Sequence, residues 1–154
     1  MTAGVLHWLF WTPRILGILF AIFISLFALG NILFHLETVL ALPYGIGQRT
    51  GLAIAAMLMS LIGGRIIPSF TINWMKRQGV QPHAAPFGWF DKLVLAVTAL
   101  TVVGWIATPF ARSIGYALLV VGFLHLARLF RWRGWRTVRE PLVVILHIAY
   151  GWLV

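Results

Sequence analysis

Cysteine is absent from the 154 residues, and acidic side chains nearly so: Glu37, Asp91 and Glu140 are the only three. The first absence excludes disulfides, thiolate metal sites, thiol nucleophiles and the C-x-x-C-H attachment of haem. The second leaves no close carboxylate pair, and all three acids fall near the ends of apolar stretches, so acid–base chemistry inside those stretches has no acidic candidate. A P-loop and a G-x-S-x-G elbow are missing too. Charge of either sign is scarce, at 10% of the residues. A soluble domain carries about 25%, which it needs to cover a water-facing surface. Met1–Trp11 has neither a charged n-region nor an A-x-A site, so it does not read as a cleaved signal peptide.

What fills the chain instead is apolar: 61% of the residues are hydrophobic, arranged in runs long enough to cross a bilayer. The fold class expected is all-α, a polytopic transmembrane helix bundle with four full spans and a truncated fifth. The spans fall at about 13–36, 50–75, 91–108, 113–130 and 137–154, within one transmembrane region. Pro13 suits the first turn of span one, where its missing N–H is unpaired anyway. Pro43, Gly45 and Gly47 punctuate the linker after it. Span two would measure roughly 39 Å as a straight helix, more than the ~30 Å hydrocarbon core requires, so tilt or a kink is expected. Pro109 ends span three. From Pro141 only 14 residues remain for span five, and VLHWLFW before Pro13 looks like the tail of an earlier helix. Both ends therefore suggest a piece of a longer polytopic chain.

The net charge of +9 comes from 12 Lys and Arg. In a soluble protein this would raise nucleic-acid binding; between apolar spans it is a topology signal, and no nucleic-acid partner is expected. Arg14, Lys76, Arg77, Lys92, Arg128, Arg131, Arg133, Arg136 and Arg139 fall on one side, Arg49 and Arg112 on the other, and Arg65 inside span two. The positive-inside rule then places the first group, and with it the basic loops of a multi-pass chain, in the cytoplasm. In RWRGWR, Arg131, Arg133 and Arg136 interleave with Trp, a pattern expected to anchor at anionic lipid headgroups.

The segment GGRIIPSFTINW, 63–74, is the most informative. Arg65 would lie roughly 13 Å from the basic end of its span, where an unpaired charge costs at least ~2.5–3.5 kcal/mol. It is therefore expected to face the bundle interior and meet an anion, carbonyls or water. Pro68 cannot bond the carbonyl of Gly64, which is freed beside it. A kinked helix whose arginine bonds its own broken turn is the structural alternative. Ala56, Ser60 and Gly64 recur every fourth residue, a small-residue face for close helix packing. His35, His125 and His147 sit in or at the ends of spans, where neutral imidazole can ligate haem iron or copper, or simply bond a neighbouring helix. None forms an H-x-x-x-H pair, so a two-histidine site would have to join different helices.

NILFHLE (31–37), IGGRIIPSFTINWM (62–75) and LHLARLFRWRGWRTVREPLVVILHIAYGWL (124–153), in that order and spacing, resemble the NnrS family of bacterial membrane proteins. The resemblance covers nearly the whole chain, and family members are longer, with further helices. It implies an inner-membrane protein containing haem and copper and linked to nitric oxide metabolism and nitrosative stress. The family's recurring polar positions correspond to His35, Arg65, Asn73, His125, Arg139, Glu140 and His147. On this reading His35, His125 and His147 are the candidate metal ligands, and Arg65 and Asn73 the candidate cofactor contacts. The alternative function is a transporter or channel module in which the helix broken at Pro68 lines the path. Enzyme and sensor both remain open.

Overall fold

The computed structural model describes the backbone of residues 2–37, 39–81 and 84–154, and the side chains of these other than 2–16, 19 and 20. Every regular element among them is helical: α1 (Thr2–Leu36), α2 (Ile46–Arg77), α3 (Trp89–Ala107), α4 (Arg112–Arg131), a short 3-10 turn (Gly134–Thr137) and α5 (Pro141–Gly151). Three of them, α2, α3 and α4, are long and apolar enough to cross a membrane. Four full spans were expected, one more than the described residues supply. The described apolar part of α1, Ala21–Leu36, is shorter, as is α5. Pro13 does not open a helix either, because α1 runs through it from Thr2.

The chain divides into two compact units, Met1–Ile54 and Ala55–Val154. In the first, the carboxylate of Glu37 accepts the N–H groups of Gly45 and Gly47 at 2.9 and 2.7 Å. Those amides lie at the start of α2, where helix N–H groups have no partner within the helix. Glu37 is thus spent on capping. Gly47 packs against the backbone of Phe34, and a Cβ there would overlap it; at Gly51 a Cβ would meet nothing within 4 Å.

In the second unit the polar and apolar residues are inverted relative to a soluble protein. Ser60, Thr71, His125, Arg128 and Thr137 are fully buried, whereas Leu100, Phe110 and Phe123 are exposed. A surface of large apolar side chains around a polar interior suits lipid as the surrounding solvent. Local rules set the ends. Lys76 and Arg77 occupy the last turn of α2, and Arg128 and Arg131 that of α4, where cations oppose the helix dipole. Gly79, at φ +70, stops α2, with the N–H of Val80 donating to the carbonyl of Met75 at 3.0 Å. Asp91 accepts the N–H of Gly88 at 2.9 Å and caps α3. Pro141 opens α5.

Two expectations about α2 are overturned. The helix is continuous through Pro68, so the break on which the transporter reading rested is not found. Arg65 is exposed rather than turned inward. Its level explains why: Ser60 and Gly64 meet Arg128 in the last turn of α4, and Arg65 faces Phe87, just before α3. Residues 66–77 therefore continue past the last turn of α4 and the start of α3, alongside α5, and Arg65 sits level with those two ends.

Gly47→Ala is expected to destabilise the protein by about 1–3 kcal/mol through overpacking against α1, with Gly51→Ala close to neutral. Helix loss followed by circular dichroism during denaturant titration in detergent compares the two.

Candidate functional site

The second unit is organised around one arginine. Arg128, on α4, is wholly buried, and its Nε donates to Asp91 Oδ1 on α3 at 2.6 Å. Its Nη1 donates to the carbonyl and hydroxyl of Ser60 on α2, at 2.9 and 3.1 Å, and to Tyr150 Oη on α5 at 2.9 Å. The rings of Trp132, Phe87 and Tyr150 stand 5.4–5.9 Å from the guanidinium carbon, a cage suited to a planar cation. Gly64 leaves the space that the guanidinium fills, and Gly63 does the same for the ring of Tyr150, 2.8 Å from where a Cβ would sit. The small-residue face of α2 is thus the seat of an arginine and a tyrosine.

Hydrogen-bond directions follow from which groups have already spent their protons. Thr98 Oγ1 donates to the carbonyl of Val94 at 2.7 Å, so it can only accept from His125 Nε2, 3.1 Å away. In the neutral ring His125 Nδ1 is then an acceptor, and it takes the Tyr150 O–H at 2.8 Å. The order is Arg128 to Tyr150 to His125 to Thr98 to the backbone, and both nitrogens of His125 are occupied.

His147, on α5, differs. Its Nδ1 faces the carbonyl of Val143 at 2.8 Å and must carry the proton. Its Nε2 lies 3.5 Å from Thr71 Oγ1, whose proton goes to the carbonyl of Ile67. The Nε2 lone pair therefore has no donor, and the ring is held by a backbone carbonyl in the way metal-ligating histidines are held. Trp132 stands edge-on at 6.4 Å, and Gly134 packs so closely on the ring that a Cβ would overlap it. Beside it, an open apolar groove of about 350 Å³ is lined by Phe130, Trp135 and Val138, among others.

The remaining candidates are placed separately. His35 lies in the first unit, exposed, edge-on to Phe34 at 5.7 Å and without a hydrogen bond among the described residues. Asn73 lines a groove of about 250 Å³ with Trp74, Arg77 and Glu140. Arg65 lies 5.0 Å from the ring of Phe87. Among the described residues no three His, Asp or Glu side chains gather as metal ligands would. His83 lies outside the described residues, as does the side chain of His7.

Sequence reasoning assigned Arg128 to the cytoplasmic charges and Asp91 to a span end, and so missed the pair. Burial removes Arg128 from the positive-inside tally. Trp132, read as an interfacial anchor, is core, packed 4.7 Å from Tyr150; Trp135 is the exposed one. The signal available was opposite charge: an acid at the start of one apolar helix and a base at the end of the next.

Compared with known proteins, the chain matches the sequence model of the family described as NnrS protein over residues 1–154, its whole length. No curated protein and no solved structure matches it.

Removing the cation while leaving Asp91 buried should be severe. Arg128→Met is expected to destabilise the bundle by about 3–5 kcal/mol, and adding Asp91→Asn should recover part of that loss. Equilibrium unfolding of both variants in one detergent measures the difference, and no recovery would mean that the pair acts through packing alone.

Proposed function

The chain belongs to the NnrS family, and from that premise we propose that it is a haem- and copper-associated inner-membrane protein acting in nitric oxide metabolism or the response to nitrosative stress. The observation supporting a metal role in these helices is the Nε2 of His147. It is an imidazole lone pair without a donor, its ring fixed through Nδ1, beside an apolar groove. A haem or copper centre, when bound, supplies the nitric oxide-binding atom.

The residues present fit such a group unevenly. His147 could offer one ligand without breaking a hydrogen bond shorter than 3.5 Å. His35, in the first unit, is a separate candidate, its ring engaged among the described residues by Phe34 alone. His125 fits poorly, because ligation through either nitrogen would break its bond to Tyr150 or to Thr98. Donors beyond one imidazole would be needed to complete a coordination sphere. The proposed work of this chain is to hold the ligand ring, keep it neutral with the proton on Nδ1, and wall the site with Trp132 and Phe130. Asn73 would meet polar groups of the cofactor from its own groove. Basic loops on the cytoplasmic side, with Arg133 and Arg136 at anionic lipid headgroups, complete the reading; Arg131 is drawn instead toward Asp91, 3.8 Å away.

An optical spectrum of the purified chain, made with haem and copper available and recorded with and without nitric oxide, is the test. A Soret band that shifts with the gas is expected, with His147→Ala abolishing or moving it. His125→Gln should keep the band while lowering the unfolding midpoint. Neither haem nor copper in the purified protein would overturn the reading.

A further inference from the structure

Two arginines approach the ring of Phe87. The guanidinium carbon of Arg65 is 5.0 Å from its centre and that of Arg128 is 5.9 Å. A third cation, Arg131, approaches from α4, lying 4.5 Å from the ring of Phe90 with Nη1 3.8 Å from Asp91 Oδ2. Two guanidinium groups thus approach one carboxylate, and a third, that of Arg65, shares the ring of Phe87 with Arg128. That carboxylate is already committed, Oδ1 to Arg128 Nε and Oδ2 to the N–H of Gly88.

Donors are left over. Arg128 Nη2 is buried on the Gly64 side with no hydrogen-bond partner, and Arg131 Nη1 is buried with none within bonding distance. Arg65 has no ion pair among the described residues. Each would cost little in water, but near lipid uncompensated positive charge is expensive. A buried donor without an acceptor in a native protein asks for the group that satisfies it.

We propose that Arg65, Arg128 and Arg131 form a binding site for one oxyanion, a carboxylate or phosphate group, with Phe87 as the wall that moves to admit it. Guanidinium forks match the paired oxygens of such groups, which a compact halide cannot offer. The location fits the ligand: Arg65 is exposed and Arg131 partly so, and these two open the cluster to the surface. The site does not depend on the haem reading, and its test uses protein without haem.

Thermal unfolding of the full haem-free chain, followed by circular dichroism, has two arms. In neutral detergent, inorganic phosphate is titrated against chloride at equal ionic strength. In nanodiscs, phosphatidylcholine is compared with mixtures containing phosphatidylglycerol. A saturable rise in midpoint is expected in at least one arm, with Arg65→Ala weakening the apparent affinity about tenfold or more. Arg65 is exposed, so its loss should spare the fold; Arg65→Lys, which keeps the charge and loses the fork, serves if the alanine variant does not fold. A rise with phosphate in detergent assigns a free oxyanion, and a rise only with phosphatidylglycerol assigns a lipid phosphate. No rise in either arm, or a rise unchanged in both Arg65 variants, overturns the proposal.

Discussion

The ion pair between Arg128 and Asp91 is the constraint on which the second unit depends. A lone arginine or aspartate could not stay charged in an interior closed to water at tolerable cost, so the two must meet. Because they lie on different helices, their meeting fixes how α3 and α4 register. The remaining donors of Arg128 then reach α2 through Ser60 and α5 through Tyr150. One side chain therefore touches every helix of the unit. In a bilayer, where lipid tails are as apolar as leucine, such polar links supply the specificity that a hydrophobic core supplies in water.

This arrangement explains why the glycines of the GGR motif sit where they do. Gly64 makes room for the guanidinium and Gly63 for the tyrosine ring, and each would meet a side chain if it carried a Cβ. The motif is thus a socket on α2, and its arginine, Arg65, projects outward from the socket's rim toward Phe87.

Helix content and membrane character were legible in the sequence because both follow from long apolar runs. The ends of α3 and α4 came within a few residues for the same reason, helped by Pro109 between them. What stayed hidden was vertical position. Counting residues back from Lys76 put Arg65 deep in the bilayer, since nothing in one dimension shows that α2 outruns its neighbours. The same blindness made Asp91 and Arg128 look like two unrelated span ends, although the antiparallel turn between α3 and α4 brings those ends together. The three histidines looked alike as sequence and differ in structure: among the described residues His125 is bonded through both nitrogens, His147 through one, and His35 through neither.

The direction of the hydrogen-bond chain has a bearing on energy conservation. Protonatable groups buried across several helices of a coupling membrane are a hazard, since a continuous wire of them would short-circuit the proton gradient. Here the wire is grounded in the backbone. Thr98 has given its hydrogen to the carbonyl of Val94 and cannot pass one onward, and Arg128 at the other end is a cation that does not release its protons. Among the described residues, a proton arriving at His125 finds no carrier along this chain beyond its two bonded partners. The second unit can thus keep a strongly polar interior without offering protons this route across it.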